Sequence, residues 1–103
     1  MVYNVVLICA NGASTSILVE KMLDAAKKRG IEIVINAYSL VKLASAIDDA
    51  DIILIAPQIR YKKDALEKEF GSKGVPFIDV NPMDYGMLDG EKILDVVLGK
   101  LGK

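Results

Sequence analysis

Val2-Tyr3-Asn4-Val5-Val6-Leu7-Ile8-Cys9, residues 2–9, runs directly into Ala10-Asn11-Gly12-Ala13-Ser14-Thr15-Ser16, residues 10–16. The first half is aliphatic and β-branched without a break from Val5 to Ile8, the pattern of a strand covered on both faces. The second half is small and hydroxylated and opens a stretch, residues 15–29, that places Leu18, Met22 and Ala25 on one helical stripe. That stretch closes with Lys27, Lys28 and Arg29 and stops at Gly30. Basic residues in a last turn and a glycine just beyond it mark a helix end.

Working outward, the same strand-then-helix pattern recurs three times. In residues 31–38, Ile31, Ile33, Ile35 and Ala37 alternate with Glu32 and Asn36, a half-buried strand suited to a sheet edge. Ser39 is placed to cap a short helix that uses Leu40, Leu43, Ala44 and Ile47. Residues 51–56 contain Ile52, Ile53, Leu54 and Ile55, again uniformly apolar and central, and a helix is predicted over 59–70 with Gly71 as its stop. Residues 75–80 carry Pro76, which lacks an N–H and is tolerated at a strand's start or on an edge. A last helix follows Asp89, with Ile93, Val97 and Leu101 on one side and Leu94 and Leu98 beside them.

The order βαβαβαβα at this spacing predicts an α/β fold, one three-layer αβα domain over residues 1–103 with parallel strands joined by crossovers. Two central and two edge strands give the expected sheet order 2-1-3-4. Ligands of such sheets bind beyond the carboxyl ends of the strands, where the order switches between strands 1 and 3. Chemistry is therefore sought after Cys9 and after Ala56.

Composition narrows the classes. The chain has 103 residues, 52% of them hydrophobic, enough for a core and against disorder. With 13 basic and 14 acidic residues the net charge is −1, so no basic surplus exists to meet a nucleic acid. The longest apolar run, from Val5 to Ala10, is far short of the ~20 residues that span a bilayer. Met1-Val2-Tyr3-Asn4 lacks the basic start of a signal peptide, so a cytoplasmic protein without direct membrane insertion is expected. One cysteine and no histidine exclude an internal disulfide, a resolving thiol and any Ser-His or Cys-His pair, and no metal or cofactor is expected.

The loop after strand 1 has the means to hold an anion. A helix N-terminus offers unpaired N–H groups and a partial positive charge, and Gly12 permits a turn that points N–H groups inward. Ser14, Thr15 and Ser16 add hydroxyls, whether for an anion or as ordinary helix caps. Cys9 stands at the loop's mouth, where the same field favours the nucleophilic thiolate. A lone cysteine is ordinarily an inert core filler; its place at the end of a central strand, before this loop, argues for a chemical role. Cys9 is thus the candidate catalytic residue, with Ala10, Asn11, Gly12, Ala13, Ser14, Thr15 and Ser16 as the phosphate-binding loop.

A loop headed by cysteine resembles that of the low-molecular-weight tyrosine phosphatases, which the predicted fold also resembles. Those enzymes have cysteine, five residues, then arginine. Here the corresponding position is Thr15, and the only arginines, Arg29 and Arg60, fall outside the loop. The bidentate clamp on the equatorial oxygens is missing, and no aspartate is clearly placed to protonate a leaving group and then activate water. Losing one preorganised donor costs ~10²–10³ in rate, and losing the acid ~10²–10⁴. Such a site accepts a phosphoryl group yet hydrolyses it slowly; a phosphohydrolase is the alternative. A receiver domain would need acidic residues where Ile8-Cys9 and Ala56-Pro57 stand.

The run Leu7-Ile8-Cys9-Ala10-Asn11-Gly12-Ala13-Ser14-Thr15-Ser16 with Leu18-Val19-Glu20-Lys21-Met22 resembles the IIB component of the phosphoenolpyruvate-dependent sugar phosphotransferase system, lactose/cellobiose type. The likeness continues at Ala56-Pro57-Gln58-Ile59, Tyr85-Gly86 and Asp89-Gly90, so that it covers nearly the whole chain. The resemblance implies a relay. A phosphohistidine on a IIA protein gives its phosphoryl group to Cys9, and a membrane IIC permease presents a sugar hydroxyl to the phosphocysteine. Cellobiose, chitobiose, lactose and other β-linked disaccharides stay open as substrates. Near-neutral charge suits brief docking, and a monomer is expected. Gln58 and Tyr61 either border the loop or are ordinary surface, and Lys62 and Lys63 either steer a partner or form a solvated face. Asp79, Asn81 and Asp84 read as turn chemistry.

With no cation in the loop, backbone N–H groups of residues 10–16 must do the holding. Gly12→Val is therefore expected to cripple phosphoryl acceptance in a protein whose circular dichroism is unchanged. A folded variant that accepts label at the parental rate would contradict the loop geometry.

Overall fold

A computed structural model describes residues 2–9 and 16–102. Four strands, β1 (Tyr3–Cys9), β2 (Ile33–Ser39), β3 (Ile52–Ile55) and β4 (Phe77–Asp79), form one sheet in the order β2-β1-β3-β4, all pairs parallel. Val5 stands opposite Ile35 on one side and Ile52 on the other, while Ile53 stands opposite Phe77. The expected fold class and strand order are both observed.

Because strand side chains alternate, β1 and β3 each feed two cores. Val5, Leu7, Ile52 and Leu54 join Leu18, Met22, Ile93 and Val97, which come from α1 (Ser16–Lys28) and α5 (Gly90–Lys100). Val6, Ile8, Ile53 and Ile55 join Leu43, Ile47 and Leu66 on the other face, which is covered by α2 (Leu43–Ala46) and α3 (Lys63–Phe70). β2 keeps the expected alternation, with Ile35 buried between exposed Val34 and Asn36.

α1 ends as anticipated. Gly30 takes φ +69°, Ile31 N–H donates to the Ala26 carbonyl and Gly30 N–H to that of Lys27, the paired bonds of a Schellman ending. Arg29, just beyond the helix, bonds the carboxylates of Asp95 and Glu91 on α5. Hydrogen bonding to Asp95 holds the guanidinium above its ordinary value, against the lowering effect of partial burial.

Several boundaries differ from the sequence reading. Ser39 is the last residue of β2 and makes no capping bond; a 3₁₀ turn, Leu40–Lys42, follows it directly, and Ala44 is exposed. The segment before α3 is a 3₁₀ stretch, Pro57–Lys62, interrupted at Ile59. α3 does end at Phe70 with Gly71 as its C-cap, and the chain then continues through a 3₁₀ turn, Gly71–Lys73, to Gly74 at φ +75°. There is also an extra short helix, α4 (Pro82–Gly86), between β4 and α5. Asn81 starts it, accepting from Met83 N–H at 2.8 Å and Asp84 N–H at 3.3 Å, with Pro82 in the first turn.

The junction into α5 is tight. Leu88 sits at φ +54°, Asp89 accepts from Lys92 N–H at 3.1 Å, and Gly90 presses on α1. A Cβ at Gly90 would lie 2.6 Å from the Lys21 carbonyl carbon and 2.7 Å from the Met22 nitrogen. Both atoms are backbone and cannot swing away. Gly90→Ala should therefore lower the free energy of unfolding by about 1–3 kcal/mol, read as a lower urea midpoint. Gly99→Ala, with nothing within 4 Å of its Cβ position, should raise it by roughly 0.5–1 kcal/mol. Equal midpoints for the two variants would contradict the close packing of α1 on α5.

Candidate functional site at the end of the first strand

Cys9 is the last residue of β1, opposite Ser39 on β2. On the other side the Ala56 N–H donates to the Ile8 carbonyl at 2.9 Å, which brings the end of β3 level with Cys9. The thiol is thus at the carboxyl edge of the sheet, between the two strands where the order switches. Counting along the pleat, it shares a face with Val5 and Leu7, the face covered by α1 and α5.

The side chain is 2% exposed, and Sγ lies 3.8 Å from the Tyr38 carbonyl oxygen, the weak contact of an S–H donor. No sequence pattern marks this acceptor, since any residue at the end of β2 offers a carbonyl. Of the proposed phosphate-binding loop, Ala10, Asn11, Gly12, Ala13, Ser14 and Thr15 lie outside the described residues. Ser16 is the exposed first residue of α1, which begins six residues after the end of β1.

The other candidates sit on the same rim. Gln58 and Tyr61 fall in the 3₁₀ stretch after β3; both are exposed, and Ile59 between them turns inward. Lys62 Nζ stands 5.7 Å from the centre of the Tyr61 ring. Lys63 bonds Glu67 at 3.0 Å, one turn along α3. That bond holds its ammonium above the ordinary lysine range, so its charge is largely matched within its own helix.

The chain after β4 carries more than turn chemistry. Asp79, Asn81 and Asp84 line a cavity with Leu54, Ile78, Val80, Ile93 and Val96, and Cys9 is not part of its wall. Asn81 has the turn-forming role expected of it as the cap of α4. Tyr85, on α4, packs against the core on the α1 and α5 face. Its hydroxyl is buried and has no hydrogen-bond partner among the described residues. A bond left unmade at a buried hydroxyl typically costs about 1–3 kcal/mol. Tyr85 was visible in the sequence only as part of a resemblance; the burial of its hydroxyl comes from tertiary packing.

These features have counterparts. Residues 4–96 match the family described as the lactose/cellobiose-specific IIB subunit of the PTS system. The oligo-beta-mannoside-specific EIIB component of Bacillus subtilis (strain 168) is 36% identical over 94 residues, covering 91% of each chain. The solution structure of a cellobiose-specific phosphotransferase IIB component from Borrelia burgdorferi superimposes with a TM-score of 0.81 at 36% identity, over 96% of this chain and 91% of that one. The lactose-specific EIICB component of Lacticaseibacillus casei is 27% identical over 100 residues, which are 95% of this chain and 17% of that protein. With the family matched over almost its whole length and the same fold in a relative of similar size, the chain belongs to the lactose/cellobiose-specific IIB subunits of the sugar phosphotransferase system.

Proposed function

We propose that Cys9 is the phosphoryl carrier, taking its load from a phosphohistidine on a IIA partner and handing it to a sugar presented by a IIC permease. The observation that carries this reading is the placement of the chain's one cysteine at the carboxyl end of the central strand, at the switch point of a IIB fold. IIB subunits are phosphotransferases as a family; the cysteine chemistry is our reading of this chain.

In this mechanism Cys9 first gives up its proton and with it the donor contact to the Tyr38 carbonyl, freeing Sγ to leave that oxygen. Sγ then attacks phosphorus in line. The S–P bond forms as the N–P bond breaks, and the electron pair returns to the partner's imidazole nitrogen, which takes up a proton. In the second transfer the sugar hydroxyl oxygen attacks phosphorus and gives up its proton to water; the O–P bond forms as the S–P bond breaks, and the electron pair returns to Sγ as thiolate. The lack of histidine in this chain supports a first carrier on a IIA partner. Backbone N–H groups of residues 10–16 hold the phosphoryl oxygens, and Gln58 and Tyr61 border the approach.

The relatives named above are specific for oligo-β-mannosides, cellobiose and lactose, all β-linked sugars, which supports a β-linked disaccharide for this chain too. The long EIICB relative, matched over 17% of its length, supports action beside a IIC permease at the cytoplasmic face of the membrane. We take the working unit to be the monomer.

Two measurements test the reading. Incubated with phosphorylated IIA protein, the chain should gain one phosphoryl group on Cys9 by mass spectrometry, and Cys9→Ser should gain none at that position at the parental rate. Labelling of the serine variant at the same site and rate would remove Cys9 from the relay. Second, purified phosphoprotein should persist far longer alone than with IIC membranes and the cognate sugar, since Thr15 replaces the arginine on which a phosphatase relies. Equally fast phosphate release in both samples would make the protein a phosphohydrolase.

A further inference from the structure

The Tyr85 hydroxyl is the buried side-chain polar atom that the described residues leave without a partner. Such groups are rare in native proteins, and replacing one by an apolar group of the same shape is neutral or stabilising. Among the described residues, nothing offsets the desolvation of this hydroxyl in the resting state. Two placements bring it into the region of Cys9. α4 follows the carboxyl end of β4, so Tyr85 stands at the edge of the sheet where β1 ends. Its ring packs with the cluster containing Val5, Leu7 and Leu18, the face toward which the pleat turns Cys9. Asn81 and Pro82 fix the start of α4, so the ring approaches from a constrained turn.

We infer that Tyr85 is a phosphoryl-binding residue whose hydroxyl donates a hydrogen bond to a phosphoryl oxygen once Cys9 carries one. The inference rests on the phosphocarrier reading. Phosphorylation brings an anionic acceptor to a neutral donor already desolvated, and a hydrogen bond to a charged group is about twice as strong as one between neutral groups. No cation is required, which fits a loop that contains none. The hydroxyl is unsatisfied before the transfer and satisfied after it, so its effect falls on the loaded state alone.

Tyr85→Phe separates the states, because it removes only the oxygen. The unphosphorylated variant should melt at or above the parental temperature. At equilibrium with phosphorylated lactose/cellobiose-type IIA protein, its labelling constant at Cys9 should fall roughly tenfold. Its phosphocysteine phosphorus-31 resonance should also move. Equal labelling constants and equal resonances in the two proteins would overturn the inference and leave the carrier reading intact. So would a variant whose unphosphorylated form melts lower, since the hydroxyl would then serve the fold. Absence of label on Cys9 in the parent protein would overturn both.

Discussion

Burial of β1 and β3 on both faces is the constraint on which the rest depends. A strand covered on one side can alternate apolar with polar, whereas the buried stretches of these two must be apolar throughout and must have helices above and below them. That requirement explains Val5, Val6, Leu7 and Ile8 in unbroken sequence, and Ile52 to Ile55 likewise, with all eight side chains almost fully buried. It also forces the chain to cross the sheet after each strand, and so separates the helices into the α1, α5 pair and the α2, α3 pair. The two edge strands escape the constraint: β2 alternates, and β4 is only three residues long.

The same constraint explains how Cys9 can be deeply buried and still lie at the edge of the sheet. It ends a strand whose preceding residues are core on both faces, with Cys9 paired to Ser39 of β2 and Ile8 before it paired on both sides. The side chain is nonetheless at the edge of the sheet, where its sulfur makes a weak contact to the Tyr38 carbonyl. A side chain at such a strand end is positioned by the packed core of the sheet. Burial here keeps water from the thiol, which the proposed carrier role would require.

Much of this was legible in the sequence because the signals were local. The aliphatic runs, the alternation around Ile35, the Lys27-Lys28-Arg29-Gly30 ending and the cap at Asp89 each depend on neighbours along the chain. The helix Pro82–Gly86 was legible too and went unread: Asn before Pro is a helix-start signal, here with Asn81 accepting two N–H bonds. Gly71 marks the end of α3, while the left-handed conformation comes three residues later, at Gly74 after a 3₁₀ turn. Ser39 belonged to the strand because pairing with Cys9 outweighed its capping preference. What no local pattern could give were the contacts between distant segments. The approach of Gly90 to Lys21, the ties from Arg29 to Glu91 and Asp95, and the enclosure of the Tyr85 hydroxyl all arise from packing of elements far apart in sequence.

The run of α5 across the molecule fixes where the two ends of the described chain emerge. Gly90 lies against Lys21 in mid-α1, Asp95 reaches Arg29 beyond its end, and Leu98 packs with Ala25, Ala26 and Ile31. α5 therefore descends beside α1, away from the sheet edge that holds Cys9, and Lys100 comes to rest near Val75 and Pro76, where β4 begins. Tyr3 opens β1 at this same lower edge, paired with Ile33. Both ends leave from the side opposite the thiol. A tether attached at either one would project away from Cys9, so the domain can be joined to a larger assembly without covering the sheet edge where that thiol lies.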